Sequence, residues 1–359
     1  MNKKKIKRVG RSGQTWIYLG KLFRMFIYQN DWKVLPMAAI IAYLVSTVVA
    51  RNMFLTMEGT QIGAFAITCL CIWNGCFNSI QVICRERAIV KREHRSGLHI
   101  TSYISAHMIY QAFLCFCQTT ITILVLRYSK VQFPAESFIT GSVTVDLFIT
   151  IFLVSYAANM ISLFVSSIVR STTTAMTFMP FFLIFQLIFS GGFFELSGNL
   201  ETISDYTVSK WGLNALCAQG NFNSLKMSSS WTALYKLRNL EVTDEQMAML
   251  TNIMLESNGV DDVRVKGDMV VYGPEEITLY RISAENKSKK PVGVIVDYVE
   301  SEPGMKEDLM LKCGEQNYNQ NYESSTVNII ACWISLIFMI VFFHVAAVIS
   351  LEFIDRDRR

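Results

Sequence analysis

The densest group of charged side chains lies in one short segment, RERAIVKREHRSG, at residues 85–97, with five Arg or Lys, two Glu and one His. Guanidinium and carboxylate groups at this density form charge-assisted hydrogen bonds with a protein partner or with anionic lipid head groups. In a helix, one ridge would contain Arg87, Lys91 and Arg95, and another would contain Glu86, Val90 and Glu93. The first ridge could face anionic lipid head groups while the second contacts a protein partner. A basic loop that only fixes topology would explain the Arg and Lys residues but not the Glu residues.

Motifs for catalysis and for metal binding are absent from the 359 residues. The sequence has no GxxxxGKS/T phosphate loop, hence no ATP site of its own, and no HExxH, CxxC or GxSxG motif. The four histidines, His94, His99, His107 and His344, do not have the spacing of metal ligands. We therefore expect a protein that is not an enzyme and that itself binds no metal or cofactor.

The composition is typical of a membrane protein. Apolar residues make up 52% of the chain and charged residues only 17%, with a mean hydropathy of +0.32. A soluble domain has about 25% charged residues. The net charge of +4 is concentrated at the two ends of the chain and in residues 85–97. Because no solvated basic surface accompanies this charge, we expect no binding of nucleic acid.

Six apolar segments are long enough to cross a bilayer, which requires about 20 mainly apolar residues. They are residues 34–54, 62–84, 100–126, 143–169, 174–194 and 327–350. A charge at the bilayer centre costs about 2.5–3.5 kcal/mol, and the strongest charges lie at the ends of these segments. Residues 85–98 are therefore expected to lie outside the membrane, as a loop between the second and third spans.

The distribution of Lys and Arg predicts the orientation of the chain. One side of the membrane receives the basic residues of both termini and of residues 85–98, whereas the other receives only Arg51, Arg127 and Lys130 in its short loops. By the positive-inside rule, both termini and residues 85–98 are cytoplasmic. We expect a multi-pass protein of the plasma membrane.

Two regions lie outside these spans. Thr15–Trp32 mixes aromatic and aliphatic residues with Lys21 and Arg24, which predicts an amphipathic helix that lies in the interface or packs on a partner domain. Residues 195–326 are expected on the outer side of the membrane, and their pattern of apolar residues predicts a small α+β domain. Within it, residues 204–222 and 231–257 are helix-like, and residues 261–273, 275–283 and 290–301 alternate like strands.

Cys217 and Cys313 are the two cysteines in polar surroundings. A disulfide between them would close a loop of roughly 100 residues and add up to about 4–5 kcal/mol of stability in the chain-entropy model. Two free thiols, or pairing between subunits, are the alternatives.

Polar and aromatic residues recur at helical spacing inside the spans. Asn74, Asn78 and Gln81 share one face of the second span, and either bond to other helices or line a transport cavity. Phe182 and Phe185 belong to a stripe in the fifth span that serves packing, lipid contact or an apolar substrate. In the fourth span Asn159 and Ser166 predict hydrogen bonds between helices.

Three segments together resemble the transmembrane domain of G-subfamily-type exporters, within the ABC type-2 permease family. The amphipathic Thr15–Trp32 is similar to the connecting helix before the first span. ICRERAIVKREHRSGLHITSYISAHMI, residues 83–109, resembles the stretch after the second span. IFSGGFFELSGNLETISDYTVSKWGLNAL, residues 188–216, resembles the turn and short outer helices after the fifth. The likeness covers roughly residues 1–225 and 327–359.

The resemblance implies roles for particular residues. In that family the cytoplasmic segment after the second span forms a coupling helix on the nucleotide-binding domain, which makes Glu86, Arg87, Arg92 and Glu93 the candidate coupling contacts. The second and fifth spans line the central cavity of a dimer, which makes Asn74, Asn78, Gln81, Phe182 and Phe185 candidates for the substrate path.

Two departures from the family accompany this resemblance. The family usually joins an ATPase domain to this unit, and these residues contain none, so we expect an ABC ATPase that binds ATP and Mg in trans. Residues 226–325 are longer than the family's outer loop, which implies an insertion of unassigned role.

We expect a mainly α polytopic membrane protein with six transmembrane helices. Its parts are residues 1–32, the basic tail and connecting helix; 33–194, five spans with the coupling loop 85–98; 195–326, the extracytoplasmic domain; and 327–359, the sixth span and tail. The expected function is that of an exporter permease, as a homodimer or as a heterodimer with a second permease. The alternative is a membrane-anchored receptor or envelope-binding protein that acts through residues 195–326.

Overall fold

The computed structural model describes residues 9–28, 31–49, 51–192, 198–241, 263–266, 269–272, 277–281 and 290–353. The chain divides into two compact units. Met1–Leu225 and Asn317–Arg359 form the first, which we call the membrane unit, and Lys226–Gln316 form the second, which we call the inserted unit.

The described residues form thirteen α-helices. They are α1 (Arg11–Tyr28), α2 (Val34–Val49), α3 (Met57–Ser79), α4 (Val82–Arg95), α5 (Ile100–Tyr128), α6 (Val143–Ile168), α7 (Thr172–Ile188), α8 (Asn199–Ser204), α9 (Val208–Gln219), α10 (Ser228–Leu237), α11 (Pro291–Ser301), α12 (Met305–Gln316) and α13 (Thr326–Glu352). A 3-10 turn, Asp31–Lys33, leads into α2.

Five helical segments of the described chain are long and apolar enough to cross a membrane. They contain α2, α3, α5, α6 and α13, and each overlaps a span predicted from the sequence. The predicted fifth span, residues 174–194, coincides with α7, which is apolar but has only 17 residues. Because a crossing needs about 20 residues, the count of six spans stays a prediction.

Helix α3 packs tightly on α6 at the centre of the membrane unit, and both helices bury most of their side chains. A Cβ atom at Gly75 would clash with the carbonyl oxygen of Ser155 and would lie 2.9 Å from the backbone nitrogen of Asn159. Small residues let two helix backbones approach closely. Because there is no hydrophobic driving force between helices in lipid, the van der Waals packing at such contacts helps to drive their association. The hydroxyl of Ser79 also donates to the carbonyl of Asn159 at 2.8 Å.

A hydrogen-bonded threonine joins three helices of the membrane unit. The Oγ1 atom of Thr150 in α6 accepts from Nε1 of Trp333 in α13 and from Nε2 of Gln219 in α9, both at 2.8 Å. Helix α9 also confirms the helix predicted within residues 204–222. The polar partners fix how α9 and α13 meet α6 in otherwise apolar surroundings.

Helix α1 confirms the amphipathic helix predicted at Thr15–Trp32. Its apolar side buries Leu19 and Leu22 against Tyr110 and Leu114 of α5. The buried face of α1 is therefore occupied by this chain itself. Elsewhere on its surface α1 exposes Trp16, Ile17 and other large apolar side chains, which suits the membrane interface.

The inserted unit has a small core formed by α10, α11 and α12. Trp231, Val296, Val299 and Met310 are its buried residues. Three antiparallel strands, β1 (Val263–Lys266), β2 (Met269–Tyr272) and β3 (Ile277–Arg281), pair in the order β1-β2-β3. They lie within two of the segments that the sequence predicts as strands.

The third predicted strand, at residues 290–301, is wrong, because this segment forms α11. Its buried residues Val296 and Val299 are three apart, as on a helix face, whereas Ile295 and Tyr298 are exposed. Pro291 at the first helical position also favours a helix start. The helix predicted at 231–257 overlaps α10, and residues 242–257 lie outside the described residues.

We predict that replacing Gly75 by Ala destabilises the membrane unit by about 1–3 kcal/mol, the usual cost of overpacking, because the backbone of α6 must move. Thermal unfolding of the purified protein in detergent measures this. Gly20→Ala is the matched control, since a Cβ at Gly20 on α1 meets nothing within 4 Å and Ala favours a helix by about 0.5–1 kcal/mol. If Gly75→Ala unfolds at the wild-type temperature, the close approach of α3 and α6 is refuted.

Candidate functional site

Helix α4, which contains most of the charged segment, is capped at its N-terminus by a side chain from another helix. Gln81, at the N-cap position, makes no side-chain cap hydrogen bond. Instead, Oγ of Ser166 in α6 accepts from the backbone N–H groups of Ile83, at 3.0 Å, and Cys84, at 3.2 Å. The first N–H groups of a helix have no partner inside that helix. Residues 85–98 are predicted to be a loop, but they are helical up to Arg95. The cap from Ser166 fixes the position at which this helix begins.

Helix α4 in turn holds the C-terminal end of α6. Nη1 of Arg87 donates to the carbonyl oxygens of Ser167, at 2.8 Å, and Val169, at 3.3 Å. The last carbonyls of a helix lack intrahelical partners and bear partial negative charge, so a guanidinium is favourable there. We call this two-way contact, Ser166 to α4 and Arg87 to α6, the reciprocal cap. Because of it, a tilt of α4 must displace the end of α6.

A buried carboxylate attaches α4 to α1 and α5. Glu86 is 8% exposed, and its Oε2 atom accepts from the hydroxyl of Tyr103 in α5 at 3.1 Å. Nζ of Lys21 in α1 lies 3.8 Å from Oε1. A carboxylate that loses its hydration requires partners of this kind. Glu86 and the reciprocal cap thus connect α4 to three other helices.

The C-terminal end of α4 closes with a glycine turn. Gly97 has a φ of +108°, and its N–H and that of the next residue bond to the carbonyls of His94 and Glu93, both at 3.0 Å. This is the Schellman motif, which favours Gly because of the positive φ. Gln14 of α1 donates to the carbonyl of Gly97 at 3.3 Å and accepts from the N–H of His99 at 2.9 Å. The start of α1 therefore holds the turn that leads into α5.

The outward face of α4 is mainly basic, with Arg85, Ala88, Ile89, Arg92 and Arg95 exposed. Of the two predicted ridges, the one with Glu86 and Val90 faces the membrane unit itself, because both residues are buried there. Tyr103 and Lys21 engage the carboxylate of Glu86 within the chain, and the coupling role of Glu86 stays a prediction. Arg87 is half-buried in the reciprocal cap, and the Oε2 atom of Glu93 is buried without a hydrogen-bond partner among the described residues.

The amides of the second span hold helices together. Asn78 exchanges two hydrogen bonds with Gln118 of α5, at 2.8 and 3.2 Å. Gln111 of α5 donates to the carbonyl of Asn78 and accepts from Asn159 of α6, both at 3.1 Å. For Asn78 these contacts favour helix bonding over the transport cavity. They also confirm the interhelical hydrogen bonds predicted for Asn159 and Ser166.

The predicted substrate-path residues line different cavities. Asn74 and Asn78 line a groove of about 300 Å³ along α2 and α3, and Gln81 lines a polar cavity of about 160 Å³ next to it. Phe182 and Phe185 line a separate cavity of about 440 Å³ between α6, α7 and α13. The structure therefore does not bring the amides and the Phe stripe together within one chain.

A fourth cavity, of about 450 Å³ and almost entirely apolar, lies between α3 and α7. Trp73 and Phe77 form one wall, with ring centroids 5.3 Å apart, and both rings are largely exposed. Sequence reasoning missed these two residues, although their i, i+4 spacing on the face next to the amides was a usable signal. It also missed Lys21 as a partner of Glu86, because no sequence pattern links positions so far apart.

Cys217 is fully buried as a free thiol in α9. Cys313 belongs to the inserted unit, and the disulfide between the two residues stays a prediction. Burial raises the pKa of the Cys217 thiol, which disfavours the reactive thiolate. Cys217 thus acts as a small hydrophobic side chain in the membrane unit.

These features define a polytopic helical membrane protein with a basic helix fixed to the ends of its spans. The family model described as ABC-2 type transporter matches residues 14–218, more than half of the chain. The chain belongs to this family and is a multi-pass transmembrane permease component of an ABC transporter. ABC-2 membrane domains work with ATPase partners. No curated protein matches the chain.

We predict that Ser166→Ala weakens the attachment of α4 by about 0.5–2 kcal/mol, the usual cost of losing an N-cap, because two N–H groups lose their acceptor. Hydrogen exchange of the amides at the start of α4, measured on the detergent-solubilised protein, should become faster. Ser335→Ala is the control, since Ser335 is half-buried on α13, away from α4, and its hydroxyl donates within its own helix, to the carbonyl of Ala331. Unchanged exchange in Ser166→Ala would mean that α6 does not cap α4.

Proposed function

We propose that this chain is the permease subunit of an ATP-driven exporter in the plasma membrane. It pairs with a second copy or with a homologous permease around a translocation path, and a separate ATPase that binds ATP and Mg drives it. The family supports the class of transporter. The 359 residues contain no phosphate-loop motif, so the ATP site of the proposed transporter lies outside them. The resemblance to G-subfamily-type exporters supports the direction of transport.

The geometry of α4 is the observation on which this proposal depends. Its outer face presents Arg85 and Arg92 with the exposed apolar Ile89 between them, a mixture that suits a protein partner. Its inner face is fixed by Glu86 to α1 and α5 and by the reciprocal cap to α6. An ATPase that closes on ATP would push on the outer face, and the inner contacts would pass the displacement to the spans. This is alternating access through a two-state element.

We propose that α4 and both termini face the cytoplasm. Basic residues are frequent on this side and rare in the short loops of the other side, where Arg51, Arg127 and Lys130 lie. This orientation places the inserted unit outside the cell.

We propose that the apolar cavity between α3 and α7 belongs to the translocation path. Helix α7 buries only Ala175, Met179 and Gln186, so most of its surface is available to contact a second permease, a substrate or lipid. Pro180 removes one backbone hydrogen bond inside α7, which allows the helix to bend as the path opens. Pairing of two permeases could bring Phe182 and Phe185 of one chain towards Asn74 of the other. The apolar walls favour a lipophilic or amphipathic substrate.

We predict that Arg92→Glu weakens binding of the ATPase about tenfold or more, because a charge on the docking face is reversed. Copurification of both subunits and ATP turnover in liposomes measure this. Arg51→Glu is the matched control, since it makes the same charge change on the opposite side of the membrane and should leave binding unchanged. Thermal unfolding of Arg92→Glu should match that of wild type, because Arg92 is exposed. If Arg92→Glu binds the ATPase as tightly as wild type does and the complex has the wild-type ATP turnover, α4 is not the docking helix.

The inserted unit supports a second candidate function, that of a receptor, because it is compact and separate. Its two connections lie close together in the membrane unit: Asn223 donates to the carbonyl of Asn319 and accepts from the N–H of Asn319, both at 3.0 Å. Phe222 also packs edge-on against Tyr322, with ring centroids 4.9 Å apart. A short linker can therefore replace residues 226–316 without straining the membrane unit.

We predict that a chain lacking residues 226–316 still assembles with the ATPase and hydrolyses ATP, because the spans and α4 are untouched. The measurement is ATP turnover of the reconstituted complex, with the full chain as reference. Loss of function with a fully assembled, stable membrane unit would favour the receptor over the exporter.

A further inference from the structure

A polar cavity of about 160 Å³ lies between α1, α3, α4 and α5, next to the turn that precedes α2. Its wall combines charged, amide and imidazole side chains with apolar ones. The polar members are Asp31, Asn78, Gln81, Arg85, Glu86 and His107, joined by Gln111. At about 30 Å³ per water molecule, the volume corresponds to about five waters or one small lipid head group.

His107 has unused hydrogen-bonding capacity at the wall of this cavity. It is 1% exposed, and neither of its ring nitrogens has a hydrogen-bond partner among the described residues. A buried polar group without a partner costs about 1–3 kcal/mol, so such groups in native proteins pair with a bound molecule when the chain offers none. Tyr103 fixes the ring by an edge-on contact with centroids 4.6 Å apart. The imidazole is thus held in place at the cavity wall with its hydrogen-bonding capacity unused.

An apolar groove continues from this cavity. The groove, of about 300 Å³, shares Val34, Phe77 and Asn78 with the polar cavity. It extends along α2 past Met37 and Ile41, and seven residues of helix correspond to about 10 Å. Together the two cavities form one elongated site, polar at one end and apolar along its length.

The polar end lies at the level of lipid head groups. Helix α2 begins at Val34 and α3 ends at Ser79, and both belong to segments that are long and apolar enough to cross a membrane. Asp31 and Arg85 lie just outside these ends, where head groups meet water. The amphipathic α1, which closes the cavity with Leu22 and Met25, also suits the interface.

The charges around the polar end have both signs. Arg85 lines the cavity and Lys33 lines the mouth of the groove, and both suit a phosphate. Asp31 suits a cation, whereas Tyr103 and Lys21 already engage Glu86. We propose that this site binds a phospholipid whose head group has a phosphate and a primary ammonium group, with an acyl chain in the apolar groove. His107 hydrogen-bonds the head group. The site does not depend on the exporter proposal.

Lipid retention tests this proposal. The full chain is purified from mixed micelles that contain equal amounts of phosphatidylethanolamine, phosphatidylcholine and phosphatidylglycerol, and bound lipids are counted by native mass spectrometry. We expect phosphatidylethanolamine to be retained about tenfold more than the others, because only its head group offers a phosphate with an N–H-bearing ammonium. Equal retention of the three lipids, preference for phosphatidylglycerol, or no retained lipid would each overturn the proposal.

Variants locate the binding within the cavity. Arg85→Gln and Asp31→Asn should each lower retention of phosphatidylethanolamine about tenfold, the equivalent of one charge-assisted hydrogen bond. Arg95→Gln, an exposed change on the same helix that does not line the cavity, should leave retention unchanged. Wild-type retention in both cavity variants would place the lipid elsewhere and refute the site.

Thermal shifts separate binding from folding. His107→Leu should unfold at or above the wild-type temperature without lipid, because it removes an unpartnered buried group, and should lose most of the stabilisation that phosphatidylethanolamine gives. Soluble glycerophosphoethanolamine, which has the head group without acyl chains, should stabilise neither protein at the same concentration. A wild-type lipid shift in His107→Leu, or full stabilisation by the soluble head group, would contradict the proposed site.

Discussion

The reciprocal cap between α4 and α6 is the interaction on which the arrangement of this protein depends. A helix that leaves the bilayer exposes unsatisfied N–H groups at its start, and a helix that ends there exposes unsatisfied carbonyls. Ser166 and Arg87 satisfy both sets across one junction. The same two residues that complete the backbone hydrogen bonding therefore fix the angle between a surface helix and a membrane helix. Coupling between an ATPase and a translocation path requires such a fixed angle, because a loose helix would move without moving the spans.

Polar side chains inside the membrane unit bond to one another, since few alternatives exist in lipid. The amides of Asn78, Gln111 and Asn159 connect α3, α5 and α6, and Thr150 connects α6 to α9 and α13. These bonds surround the close contact at Gly75, where two backbones meet without intervening side chains. His107 differs from these side chains because the described residues leave both of its ring nitrogens without a partner, whereas Asn159 and Gln219 each make hydrogen bonds through their amide nitrogens.

The inserted unit has its own core and its own strands, and it begins and ends where Asn223 and Asn319 bond to each other. An insertion with adjacent ends can be added without changing the packing of the spans. The family match covers residues 14–218 of the first part of the membrane unit, and the membrane unit resumes at Asn317. Transport and recognition can therefore reside in different parts of the chain.

The sequence alone determined the class of protein, the positions of five membrane segments, the amphipathic first helix and the charged segment as the most distinctive site. These follow from composition and from the spacing of apolar residues, which depend only on local sequence. Only the tertiary structure decided which face of that segment is available. Glu86 resembles an exposed carboxylate until Lys21 and Tyr103, from distant parts of the chain, surround it. Likewise, residues 290–301 alternate like a strand, but their burial against Trp231 makes them a helix. Partners that are distant in the sequence determine which side chains are buried. Burial in turn determines whether a charged side chain is available to another protein or is held by partners within the fold.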